Sequence, residues 1–185
     1  MKDLSLHIMD ILQNSTRAGA SKIELDIVEN TLENTYRIIF TDNGCGMDEE
    51  TVKRVVDPFF TTRTVRKVGL GLPLLKQNCE QTGGSLHITS KAGEGTQVEA
   101  VFIHNHIDRP TLGDIAGTVV LTASANPDIH FIYRHNKDGQ IYTFDTEEVT
   151  EALDGLSIQI PEIIQYLREM IQENLKEMEV EYYPE

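Results

Sequence analysis

The stretch Thr41-Asp42-Asn43-Gly44-Cys45-Gly46-Met47 closes an alternating run in which Tyr36, Ile38 and Phe40 share one face. Alternation of this kind predicts a strand over 36–41, and Asp-Asn-Gly predicts a turn directly after it. Upstream, Ile23, Leu25 and Ile27 alternate in the same way and predict a strand over 22–28. Before that, Leu4, Ile8, Ile11 and Leu12 form one apolar stripe at helical spacing, a helix over 4–18 ended by Gly19. Downstream, short helices are expected over 49–56 and 73–81, then strands over 85–90 and 97–102 joined by the Gly93–Gly95 turn. The order helix, strand, strand, helix, helix, strand, strand predicts an α+β two-layer sandwich: a mixed or antiparallel sheet covered on one face by helices.

The remainder differs in charge. The chain has 16 basic and 30 acidic residues and a net charge of −14. Residues 1–106 hold 14 acidic and 11 basic residues, and 107–185 hold 16 and 5. The shift coincides with a turn-rich stretch containing Pro110 and Gly113, which suggests a unit over 1–106 and an acidic α+β extension over 107–185. In the extension, 119–121 reads as a strand. Runs 129–133 and 140–144 flank a hairpin turn, and Thr146 reads as the cap of a helix over 147–153. A longer helix is expected over 161–178, with Ile163, Leu167, Met170, Ile171 and Leu175 on one stripe. That stripe serves equally to pack on the core or to dock a partner or a second copy. So acidic a chain repels phosphate backbones, which argues against nucleic acid. No apolar run is long enough for a membrane span and no signal peptide is legible, so a cytoplasmic protein is expected. Cys45 and Cys79 make no CxxC pair.

Four groups of residues carry chemistry. On the first helix, His7, Asp10, Asn14 and Arg17 fall on one polar face. A solvated face is the plain reading, but Asn is a poor helix former. Its carbonyl suits a Mg²⁺ that keeps its waters and leans on phosphate. Asp10, one turn earlier, could orient or deprotonate a water or hydroxyl. In the second group, Asp42 can accept a hydrogen bond from an adenine amine, worth about 1.5–3 kcal/mol. Gly44 and Gly46 would let backbone approach the ring. The third group runs from Phe59-Phe60-Thr61-Thr62-Arg63 to Val68-Gly69-Leu70-Gly71-Leu72, glycines before a helix, as phosphate sites require. The fourth is Gly93-Glu94-Gly95-Thr96, by itself a hairpin turn.

Taken in order, these motifs resemble the catalytic ATP-binding domain of histidine kinases, within the superfamily that also contains gyrase, the heat-shock chaperone and the mismatch-repair ATPases. The resemblance spans roughly 4–104. It implies that fold, with ATP and Mg²⁺ as ligands. It implies that Asn14 is the metal ligand, Asp10 the catalytic acidic position and Arg17 a phosphate contact. Asp42, Gly44, Gly46 and Met47 would hold adenine, with Thr96 closing the pocket. Phe60, Arg63, Lys67, Gly69, Leu70, Gly71 and Leu72 would surround the phosphates. Three features depart from the family. Asp10 is a methylene shorter than the usual Glu, and a displacement of about 1 Å can cost about 10²-fold in rate. Lys67 replaces an additional Gly. The lid over 63–68 is short and basic.

Each of the six histidines lacks the acidic follower of a kinase phosphoacceptor, and the motifs begin close to Met1. The expectation is therefore a nucleotide domain acting on a separate protein partner, by phosphotransfer or nucleotide-gated binding. A slow ATPase with a conformational cycle and a non-catalytic ATP sensor similar to anti-sigma modules are the alternatives.

Overall fold

The computed structural model describes residues 3–57 and 71–181. Helix α1 (Leu4–Arg17) starts where Asp3 accepts the Leu6 N–H at 3.0 Å, a side-chain cap. It is followed by β1 (Lys22–Asn30), β2 (Thr35–Asp42), α2 (Glu49–Arg54), α3 (Gly71–Gln81), β3 (Ser85–Lys91) and β4 (Gly95–Ile103). Then come α4 (Ile115–Ala125), β5 (His130–Lys137), β6 (Gln140–Asp145), α5 (Thr146–Ala152) and α6 (Pro161–Glu177). The six strands form one mixed sheet ordered β3-β4-β2-β1-β5-β6. Among the described residues only the β1–β5 pairing is parallel, with Leu25 opposite Tyr133. The two-layer α+β architecture expected from the motif order is the one observed.

Alternation decides which face is covered. Ile23, Leu25 and Ile27 of β1, Ile38 and Phe40 of β2, and Ala100 and Phe102 of β4 are buried beneath Ile8 and Leu12 of α1 and Leu75 of α3. Burying each such side chain contributes about 1.5–3 kcal/mol. The same layer continues into the acidic stretch: α4 packs on both α1 and α6. At the far end of the sheet, Glu29 lies buried on the covered face. His135 Nε2 donates to Glu29 Oε1 at 2.7 Å, and His104 Nε2 to Oε2 at 2.9 Å. Burial alone would raise the Glu29 pKa; the two histidine hydrogen bonds outweigh it and hold the carboxyl below its usual range.

Two readings of 107–185 are corrected and a third is decided. Residues 119–121 lie inside α4, because Asp114 caps that helix through the Gly117 N–H and nearly every side of it is buried. A helix apolar all round carries no helical period, and its β-branched Val119 and Val120 mimic a strand. Thr146 does not cap α5. Asp145 does, accepting the Glu147 N–H at 2.8 Å, while Thr146 Oγ1 accepts the Phe131 N–H of β5. Of the two roles open to the α6 stripe, packing on the core is the one observed for Leu167, Ile171 and Leu175, which are buried within this chain's own core, while Ile163 and Met170 are partly buried against it.

Candidate nucleotide site

The site lies where the C-terminal half of α1 meets the end of β2. Ser15 continues the buried stripe of Ile8, Ile11 and Leu12, so its hydroxyl must find a partner inside the protein. It donates to Asp42 Oδ2 at 2.6 Å, while the Gly44 N–H donates to Oδ1 at 2.9 Å. The two bonds fix the carboxylate plane and leave each oxygen acceptor capacity for a ligand.

The loop after Asp42 is stitched on both sides. Cys45 N–H donates to the Ala18 carbonyl at the end of α1, and Cys45 C=O accepts the Gly93 N–H from the β3–β4 hairpin. A Cβ on Gly44 would stand 2.8 Å from Ala18 Cβ, and one on Gly46, at φ +65°, would stand 2.0 Å from the Lys91 carbonyl. The requirement for glycine here comes from this chain's own packing. Met47 N–H donates to Ser90 Oγ at 2.8 Å. That hydroxyl in turn meets Thr96 Oγ1 and the Gly95 carbonyl, each at 2.8 Å. Thr96 sits directly across the β2–β4 ladder from Asp42.

A second junction joins α1 to α3. A Cβ on Gly71 would lie 1.8 Å from Asp10 Oδ2, so the first residue of α3 is pressed against the Asp10 carboxylate. His7, expected on a polar face, is buried instead, and its Nε2 accepts a hydrogen bond from Asn78 Nδ2 of α3 at 2.9 Å. Burial pushes the His7 pKa below its ordinary value, which keeps the ring neutral and able to accept. Asp10 and Asn14 are half-buried along the same helix. Arg17 is exposed and donates to Gln13 Oε1 at 3.3 Å. Leu72 belongs to the core. Phe59, Phe60, Arg63, Lys67, Gly69 and Leu70 lie outside the described residues.

The structure thus brings Asp42, Gly44, Gly46, Met47 and Thr96 together, and Asp10 with Gly71. Ser15, Ser90 and Asn43 were missed by the sequence reading. Asn43 Oδ1 ties down the N–H groups of Ser21 and Lys22, each at 2.9 Å. Only Ser15 had a legible signal, as a hydroxyl on an apolar stripe. No cluster of three His, Cys, Asp or Glu able to hold a metal occurs among the described residues. A Mg²⁺ that rested largely on phosphate and water would need only one oxygen from the protein, which the half-buried Asn14 side chain of α1 could offer.

A helix-backed mixed sheet with an anchored carboxylate at its rim and a glycine-led helix beside it defines an ATPase-type nucleotide domain. Residues 2–106 match the family described as histidine kinase-, DNA gyrase B-, and HSP90-like ATPase, and the chain belongs to that family. Over 97 residues it is 34% identical to a protein of Shewanella frigidimarina named for a sensor role, covering 51% of this chain and 15% of that one. It is 31% identical over 115 residues to the tetrathionate sensor histidine kinase TtrS of Salmonella typhimurium, covering 60% of this chain and 19% of that one. It is also 31% identical over 96 residues to sporulation kinase D of Bacillus subtilis, covering 50% and 19%. The chain spans less than a fifth of the length of these relatives. Among solved structures, the N-terminal domain of a DNA repair protein shares the fold, with a TM-score of 0.51 and 18% identity over 77% of this chain and 52% of that one. No helix among the described residues is long and apolar enough to cross a membrane.

Proposed function

We propose that this chain binds Mg·ATP and acts on a separate protein, by phosphoryl transfer or by nucleotide-gated binding, in signal transduction. The carrying observation is the Asp42 carboxylate, held by Ser15 and Gly44 with acceptor capacity to spare at the rim of the sheet. In this reading Asp42 takes the adenine amine, and Thr96, Gly44, Gly46 and Met47 shape the pocket around it. Asn14 supplies one oxygen to Mg²⁺, which would neutralise phosphate charge. Asp10 works on the proton of the attacking group, steadied by its contact with Gly71. Leu72 backs the phosphate-facing turn of α3, and Arg17 with the basic segment 63–67 meets the phosphates.

The likeness to sensor kinases supports transfer over simple hydrolysis, and the histidines support an acceptor elsewhere. His7 is buried on the helix that carries Asp10 and Asn14, and the other five lie on strands or in loops. The test is γ-labelled ATP added with purified protein to a cell lysate, run beside Asp10→Asn. A second labelled band that vanishes with the variant is the expected result. Label released only as free phosphate would replace this reading with the ATPase one. An acid-labile label on the chain itself would refute the separate acceptor.

A further inference from the structure

The loop between β4 and α4 lines a cavity of about 360 Å³ with His104, His106, Arg109, Thr111 and Leu112, and Glu181 completes the wall. It sits near the buried Glu29, some six residues along β1 from the strand position that pairs with Asp42. It is thus at the opposite end of the sheet from the nucleotide site. We propose that this cavity is a second ligand site, for a small molecule bearing a carboxylate or phosphate oxyanion.

Arg109 carries the argument. Its Nε donates to the His104 carbonyl at 2.6 Å and its Nη1 reaches the Pro110 carbonyl at 3.5 Å. Its guanidinium carbon stands 4.5 Å from the centroid of the Tyr36 ring. These contacts fix the plane of the group but leave Nη2 without a partner among the described residues. In a chain with 30 acidic residues, this half-buried guanidinium makes no ion pair among the described residues. A planar guanidinium held in place and lacking a carboxylate is prepared for two parallel hydrogen bonds to an oxyanion. The hydroxyl of Tyr36, beneath it, is buried and also lacks a hydrogen-bond partner among the described residues.

A second donor stands beside it. His106 Nδ1 accepts the Asp108 N–H at 3.1 Å, so the neutral ring carries its proton on Nε2. Glu181 is the sole acid of the lining and is exposed. The buried Glu29 behind this wall is already engaged by the His104 and His135 ring nitrogens, so its carboxylate does not pair with Arg109. One wall is shared with the catalytic layer, because the carbonyls of Thr111 and Leu112 accept the Leu4 and Ser5 N–H groups that open α1.

The test is titration of the full chain, saturated with Mg·ADP, with inorganic phosphate in one arm and succinate in the other. Histidine ring signals are followed by NMR, and affinity by calorimetry. The expected result is a saturable shift of the His104 and His106 signals in at least one arm. Which arm responds tells phosphate from carboxylate chemistry. Affinity should fall about tenfold or more in Arg109→Gln and in Arg109→Lys, which keeps the cation but loses the fork. Glu181→Gln should bind as well or better. No saturable shift in either arm, or equal affinity in both Arg109 variants with the fold intact, overturns the proposal. So does binding seen only in a parallel titration without Mg·ADP, since the anion would then have been in the nucleotide pocket.

Discussion

Replacing Asp42 with Asn changes one oxygen to an amide and alters little else in the chain. In the native site each carboxylate oxygen already accepts one bond, from Ser15 Oγ at 2.6 Å and from the Gly44 N–H at 2.9 Å. An Asn can keep the Gly44 bond through its carbonyl, and the Ser15 hydroxyl can turn to accept from the new amide. Both internal bonds survive, so the fold should hold. On the proposed role of Asp42, the ligand loses the charged acceptor opposite the adenine amine and meets an N–H in its place. Loss of a hydrogen bond to a charged group costs about 1.5–3 kcal/mol, or roughly 10- to 150-fold in affinity. Calorimetry with Mg·ATP, beside thermal unfolding of the same sample, measures both quantities. A folded variant that binds ATP as tightly as the native chain would refute Asp42 as the adenine anchor. Ser15→Ala provides the companion measurement: it removes only the orienting bond and should weaken binding less than Asp42→Asn does.

Asn14→Ala should weaken ATP binding in the presence of Mg²⁺ and leave metal-free binding nearly unchanged, because the lost carbonyl serves the ion; equal losses in paired titrations would remove Asn14 as the ligand. Gly71→Ala drives a methyl into Asp10 Oδ2 and should cost about 1–3 kcal/mol of stability by overpacking. Adding Asp10→Ala should restore most of it, and melting curves showing simply additive losses would mean the α1–α3 contact is not the cause. Burial lowers the His7 pKa, so on acidification the unfolded chain takes up its proton first. The corresponding stability is intact above the ordinary imidazole value of 6.5 and falls as pH drops below it. His7→Gln keeps an acceptor for Asn78, and its urea midpoint should depend less on pH below that value than the native chain's; identical slopes would contradict the assignment.

Strands β1 and β2 were legible because each buries one face only, so Ile23, Leu25 and Ile27, like Tyr36, Ile38 and Phe40, carry the period of two. Helix α1 was legible for the corresponding reason, with a single buried stripe. Helix α4 was not, since burial on nearly every side erases the contrast from which a period is read. Asp42 could be singled out from its turn, but its clamp could not: Ser15 lies 27 residues away, and only the tertiary fold brings the two together. His7 was misplaced because α3 covers a helix face that polar residues made look solvated. The parallel seam between β1 and β5 leaves no local mark, as its register depends on how the chain crosses from α4 to the opposite side of β1.

That seam bears on how the molecule can be divided. Strand β1 lies between β2 and β5, and its β5-facing edge is covered over eight consecutive positions, Lys22 to Glu29. A fragment ending after β4 would uncover this edge in the middle of the apolar layer. It would leave a long row of unsatisfied N–H and C=O groups flanked by Ile23, Leu25 and Ile27. An uncovered, flat, apolar edge is a template for strand addition between molecules. The acidic segment that closes it therefore covers that template, and its strand β6, with three of its six side chains exposed, forms the outer edge of the sheet instead.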